Sequence, residues 1–209
     1  MEKTLYIIRH GETELNRKGI VQGRGMDTDL NETGRRQAEA FFRAYKDVPF
    51  DKIYTSTLKR THQTVRHFID RDIPWVQYPG LDELAWGIYE GREGTLETRD
   101  AYENMLQDWS EGRLHAKFER GESPLEVKER QLEVLEKILE EEDASTILIC
   151  MHGRAMRLFL CLLTDLPLSE MDKFPHSNTA LYKVRYDGVL FEITDFNNTD
   201  HLKYLLPRQ

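Results

Sequence analysis

The chain has 209 residues, 39% hydrophobic and 32% charged, and a formal net charge of −8. A chain this long hides roughly 70% of its unfolded surface on folding, and its composition is not that of a disordered protein, so one ordered domain over 1–209 is expected. The negative balance argues against a general nucleic-acid or anionic-membrane surface, and any anion must be gathered by a local cluster of arginines.

Met1-Glu2-Lys3 passes directly into strand-like sequence with no signal-peptide pattern. Strand-like runs at 4–9, 51–55, 74–78 and 145–151 alternate with helical patterns, which predicts a three-layer α/β/α sandwich around a mostly parallel sheet. The first run, Leu5-Tyr6-Ile7-Ile8, delivers Arg9-His10-Gly11-Glu12 to the point where a buried strand must end. Asn31 is placed to cap a helix in which Ala38, Phe41 and Tyr45 recur at helical spacing, ending near Asp47 before Pro49. Ser56 or Thr57 then starts a second helix through Ile69, with Arg60 in its first turn. The segment 92–122 is polar and weakly periodic and reads as a substrate-side insertion over one face.

Ser123-Pro124-Leu125-Glu126 combines a capping serine, a proline at the first helical position and a glutamate at the third, a capping box. Leu125, Leu132, Leu135 and Leu139 give that helix its core face. The run Ile147–Met151 leads into His152-Gly153-Arg154, a second strand ending in His-Gly. The stretch 158–163 is the longest apolar one, with Phe159, Leu160 and Leu163 facing the core, and is far short of the roughly 20 residues a membrane helix needs. Tyr182–Tyr186 and Val189–Ile193 flank Asp187-Gly188, predicting an antiparallel edge hairpin with a two-residue turn. Cys150 and Cys161 both fall on apolar segments, so no disulfide framework is expected and a cytoplasmic protein is the simplest reading.

In open α/β sheets ligands bind beyond the carboxyl ends of the strands, which brings Arg9, His10, Arg60 and His152 to one place. Planar guanidinium forks suit the oxygens of a phosphoryl group. A histidine among arginines keeps a ring nitrogen unprotonated near neutral pH, which makes His10 a nucleophile and implies a phosphohistidine. Arg9, Arg60 and His152 are then expected to neutralise the equatorial oxygens, with Gly11 and Gly153 letting the backbone approach. The leaving alkoxide needs a proton, and Leu81-Asp82-Glu83-Leu84 offers Glu83, with Asp82 as the neighbouring alternative.

His62, His67, His115, His176 and His201 lack partners at metal-ligand spacing and read as structural or surface residues; no metal or cofactor is expected. A cysteine-phosphatase loop on Cys150 would want arginine six residues later, where Met156 stands, so Cys150 reads as a small hydrophobe. Among Gln22, Arg24, Arg92, Arg113, His115 and Lys117, only Gln22 is expected to touch substrate, with Gly23 beside it; the rest read as solvated charge.

Leu5-Tyr6-Ile7-Ile8-Arg9-His10-Gly11-Glu12-Thr13 resembles the signature of the histidine phosphatase superfamily, which holds the cofactor-dependent phosphoglycerate mutases and many phosphatases. The resemblance continues through Asn16, Gln22-Gly23, Leu30, the block Thr55–Thr64, Leu81-Asp82-Glu83, Gly87, Glu90-Gly91, Gly121-Glu122-Ser123 and Met151-His152-Gly153. It implies that His10 is phosphorylated, that Arg9, Arg60 and His152 bind phosphate, that Glu83 is the proton donor, and that Asn16 and the Gly153 amide are secondary phosphate contacts. The mutases it resembles carry a longer segment between the acid and the second histidine, with an adjacent arginine pair for the substrate carboxylate. Residues 84–151 contain no adjacent arginines. The implied activity is therefore hydrolysis of a small phosphomonoester, with a mutase or a silent phosphate-binding module as the alternatives. Association into a homodimer is left open. Arg154 departs from the pattern, where the family often has a small residue or asparagine.

Overall fold

A computed structural model describes residues 1–92, 94–203 and 205. Its centre is a six-stranded sheet built from β1 (Lys3–Arg9), β2 (Lys52–Thr55), β3 (Trp75–Gln77), β4 (Thr146–Met151), β5 (Leu181–Tyr186) and β6 (Phe191–Asn198). The order is β3-β2-β4-β1-β5-β6, with β1, β2, β3 and β4 parallel and β5 and β6 antiparallel.

Strand alternation sorts the apolar residues into two cores, one on each face of the sheet. The α-helices in chain order are α1 (Glu14–Arg17), α2 (Glu32–Tyr45), α3 (Lys59–Thr64), α4 (Arg66–Ile69), α5 (Leu96–Ser110), α6 (Pro124–Glu140) and α7 (Gly153–Leu163). Leu5, Ile7, Ile147 and Ile149 face α5, α6 and α7. Tyr6, Ile8, Leu148 and Cys150 face Phe41 of α2 and Phe68 of α4. Each fully buried aliphatic or aromatic side chain stabilises this sandwich by about 1.5–3 kcal/mol before conformational entropy is charged against it. Among the described residues no helix is long and apolar enough to cross a membrane.

Several local expectations are revised. The helix expected from Ser56 to Ile69 is broken into Lys59–Thr64 and Arg66–Ile69 at Val65. On α6 Leu135 is buried and Leu125 and Leu139 pack half-buried against the core, while Leu132 is exposed, because the core face is centred on Val127, Gln131, Val134 and Ile138. The edge hairpin turns through four residues, since Tyr186 pairs with Phe191 and Asp187 Oδ1 accepts from the amides of Val189 and Leu190. The weakly periodic segment 92–122 carries α5, capped by the Thr95 hydroxyl, and its Trp109 is 1% exposed.

Candidate active site

The carboxyl ends of the parallel strands share one edge, and β1 lies beside β4 with Arg9 opposite Met151. The next residues on each strand, His10 and His152, therefore emerge as neighbours, with ring centroids 5.1 Å apart. The segment after β2 supplies Arg60, and the loop after β3 supplies Glu83.

His10 is 2% exposed, and its Nδ1 lies 2.7 Å from the carbonyl of Gly11. A carbonyl only accepts, so Nδ1 carries the proton and Nε2 keeps its lone pair. Burial, with the charges of Arg60 and Arg9, holds the imidazole well below its ordinary pKa, so it is neutral at pH 7. The Gly11 backbone is fixed in turn by its amide, which donates to Thr64 Oγ1. Gly11 packs against the backbone of Gly34, where a Cβ would come within 2.7 Å of a carbonyl oxygen. Its role is thus close packing against α2 rather than an approach to ligand.

Arg9 donates from one terminal nitrogen to His176 Nδ1 at 3.1 Å, and its buried Nε has no acceptor among the described residues. A buried donor left unmatched is costly, and an anion in front of His10 would satisfy it. Arg60 is fully buried and donates from Nε to His152 Nδ1 at 3.1 Å, and from its terminal nitrogens to the carbonyls of Met26 and Gly23. Burial lowers it to about 10, which leaves it charged at neutral pH. Because Arg60 only donates, His152 accepts at Nδ1 and donates from Nε2 to Ser56 Oγ at 2.8 Å. Both residues are buried beside His10, and neither is among the residues that line the open cavity.

Glu83 is held at the amino terminus of α7. Its Oε1 accepts from the amides of Leu84 and Ala155, both at 2.9 Å, and its Oε2 from that of Arg154 at 3.2 Å. With two bonds on Oε1 and one longer bond on Oε2, the second oxygen is the less engaged of the two. Asp82 is committed elsewhere, accepting from the amide and hydroxyl of Thr57, which separates the two carboxylates left open by the sequence. Arg130 of α6 props the acid loop. It forks onto Glu122 and donates to the carbonyls of Gly80, Asp82 and Glu83.

These groups surround a cavity of about 130 Å³ lined by Arg9, His10, Asn16, Gln22, Glu83 and Gly153 together with Trp86, Tyr102, Arg154 and His176. Asn16 accepts from Asn178 at its Oδ1, and Asn178 also holds the His10 carbonyl. Gln22 reaches the cavity with its amide already tied to Thr13 and Thr28. Gly23 does not line it: its carbonyl serves Arg60, and a Cβ there would collide with Glu90 at 2.1 Å. The amides of Arg154 and Ala155 go to Glu83, which leaves the Gly153 amide as the first-turn donor unclaimed among the described residues.

His176, Tyr102, Trp86 and Arg154 were not expected here. His176 stands in the loop before β5, and because β5 runs antiparallel to β1 its start lies beside the end of β1; Thr179 N donates to the Arg9 carbonyl. Burial and the charges of Arg9, Arg157 and Arg154 push His176 down to about 2, so it accepts from Arg9 as a neutral ring. The run Pro175-His176-Ser177-Asn178 before a strand was the available signal. Arg24 also differs from a solvated charge, pairing with Glu122 at 3.1 Å and Asp82 at 3.4 Å. Cys150 is buried beneath the site with its thiol pushed up by desolvation, an inert core residue. The remaining histidines are structural or at the surface, as in the contacts of His62 with the Ser56 carbonyl and His201 with Thr179.

Comparison with known proteins gives relatives along almost the whole chain. Phosphoserine phosphatase 1 of Hydrogenobacter thermophilus is 28% identical over 199 residues, covering 95% of this chain and 93% of that protein. "Probable phosphoglycerate mutase GpmB" of Yersinia pestis is 30% identical over 185 residues, covering 87% and 84%. The solved structure of Bacillus stearothermophilus YhfR superposes with a TM-score of 0.84 at 29% identity, covering 96% of this chain and all of that one. The model of the histidine phosphatase superfamily (branch 1) matches residues 5–199, which takes in every strand that feeds the cavity, and the chain belongs to that family.

Proposed function

We propose that this phosphomonoesterase of the histidine phosphatase superfamily cleaves a small phosphorylated metabolite in two steps through a phosphohistidine on His10 Nε2. The observation that carries the reading is the 2.7 Å contact of His10 Nδ1 with the Gly11 carbonyl, which ties up the Nδ1 proton and leaves Nε2 with its lone pair among arginines. In the first step Nε2 bonds to phosphorus while the P–O bond to the alcohol breaks and the departing oxygen takes the proton of Glu83 Oε2. Arg9 Nε and the Gly153 amide are the donors left to receive the equatorial oxygens, and Arg60 adds positive charge beside the nucleophile. His152, locked between Arg60 and Ser56, keeps that arginine in place. In the second step Glu83, now a carboxylate, takes a proton from water as the water oxygen attacks phosphorus and the P–N bond breaks, releasing phosphate and returning His10.

Among the described residues no three His, Cys, Asp or Glu side chains converge as a metal would require, and the cations needed for charge neutralisation come from arginine. Trapping the enzyme during turnover of p-nitrophenyl phosphate should give an acid-labile phosphate on His10, detected by mass spectrometry. His10→Ala should be folded, carry no label and lack turnover. Labelling at another residue, or wild-type-like turnover in that variant, overturns the mechanism. Turnover without added bisphosphoglycerate separates the hydrolase from the mutase.

A further inference from the structure

The phosphoryl end of the cavity does not account for Arg154. This arginine is 6% exposed, lines the same cavity as Arg9 and His10, and sits on the first turn of α7 immediately after the second His-Gly. Its guanidinium lies 5.9 Å from the centre of the Trp109 ring, within cation–π range. One terminal nitrogen donates to Asp172 at 2.8 Å, and the other stands 3.5 Å from the Tyr102 hydroxyl, at the outer limit of a hydrogen bond.

Asp172 is shared. It also takes the guanidinium of Arg157, so one half-exposed carboxylate answers two arginines. Arg154 and Arg157 therefore bring one more positive charge than the protein matches in their immediate contacts, and only Arg154 reaches the cavity wall. A buried guanidinium presented to a small cavity with a poorly engaged edge is a fork waiting for a planar anion. Arg9 is already placed for the phosphoryl oxygens.

We infer that Arg154, backed by Trp109 and Tyr102, is a second anion subsite that reads a carboxylate on the alcohol half of the substrate, a few bonds from the phosphoryl group. This rests on the reading of the cavity as a phosphomonoesterase site. The preferred substrates are then small phosphorylated carboxylic acids rather than neutral sugar or polyol phosphates of the same size. A carboxylate held by a charged donor pair discriminates by roughly 10–150-fold against the same molecule lacking it.

The test uses 3-phosphoglycerate and glycerol 3-phosphate, which differ by a carboxylate in place of a hydroxymethyl group. Their Kd values are measured by calorimetry on the His10→Ala protein, which cannot consume them, and their kcat/KM values on the active enzyme. Preference for 3-phosphoglycerate of at least about 10-fold is expected, falling toward unity in Arg154→Gln and to an intermediate value in Arg154→Lys, which keeps charge but loses the fork. Arg157→Gln removes an equal charge outside the cavity and should leave most of the preference. No preference in the Arg154 protein, or equal loss in Arg154→Gln and Arg157→Gln, overturns the subsite. Because each variant is judged by a ratio of two ligands, loss of folded protein lowers both and does not imitate the result; if Arg154→Gln fails to fold, Arg154→Lys and the unsubstituted protein decide. A binding preference on His10→Ala, together with no phosphohistidine and no turnover in the unsubstituted protein, upholds the subsite and overturns the hydrolase reading instead.

Discussion

Replacing Glu83 by glutamine separates what the acid does for chemistry from what it does for the fold. The carboxylate accepts from three backbone amides, two on Oε1 and one on Oε2. A glutamine that places its oxygen at the Oε1 position keeps the amides of Leu84 and Ala155, but turns its own NH₂ toward the amide of Arg154. One charge-assisted bond is lost and a buried donor meets a donor, a cost of about 1–3 kcal/mol. For a chain of this size that lowers Tm by about 2–12 °C, measured by calorimetry. Turnover should suffer more, because the leaving alkoxide loses its proton source: kcat for an alkyl phosphomonoester should fall about 10²–10⁴-fold. With p-nitrophenyl phosphate, whose leaving phenolate is stable without a proton, the fall should be much smaller. Equal losses for the two esters would mean that Glu83 only positions α7 and that the proton comes from elsewhere.

Arg60→Met removes the buried positive charge beside His10 and should lower kcat/KM by roughly 10²–10³, the scale of one preorganised electrostatic contribution, and a loss under about threefold would place Arg60 outside the reaction. Stability should fall with acid: His10, His152 and His176 are held neutral with their pKa values depressed, so the unfolded state binds protons that the native state refuses. Their contribution is complete above the ordinary histidine pKa and is lost below it, at about 1 kcal/mol each between pH 6.5 and 5.5; urea midpoints across that window check this, and a flat profile contradicts it. Activity should survive EDTA, and loss restored by a divalent ion would argue for metal chemistry.

The layout of the site was legible wherever a residue's position follows from its own strand. Arg9, His10 and His152 terminate apolar runs, so the rule that parallel strands open toward ligands was enough to bring them together. The α6 start was equally local, because Ser123 and Glu126 satisfy each other's backbone amides within one turn. Tyr102 and Trp109 were hidden because α5 is only weakly amphipathic: its buried surface is a few aromatics beneath a mostly polar helix, and periodicity has little to report. Arg24 looked like surface charge because its partners, Asp82 and Glu122, are distant in sequence.

By itself the sequence determined the α/β sandwich, the pairing of two His-Gly strand ends and the phosphoryl chemistry, since these depend on strand alternation and on side-chain types at strand ends. Only the tertiary structure decided which groups face the cavity. The antiparallel seat of β5 beside β1 brings His176 to Arg9 and Asn178 to the His10 carbonyl. The approach of the β3 loop to α7 chooses Glu83 over Asp82. Arg60 is bonded to His152 beside His10, while Arg154 lines the cavity. Each of these outcomes depends on contacts between segments far apart in the chain, whose geometry no local pattern encodes.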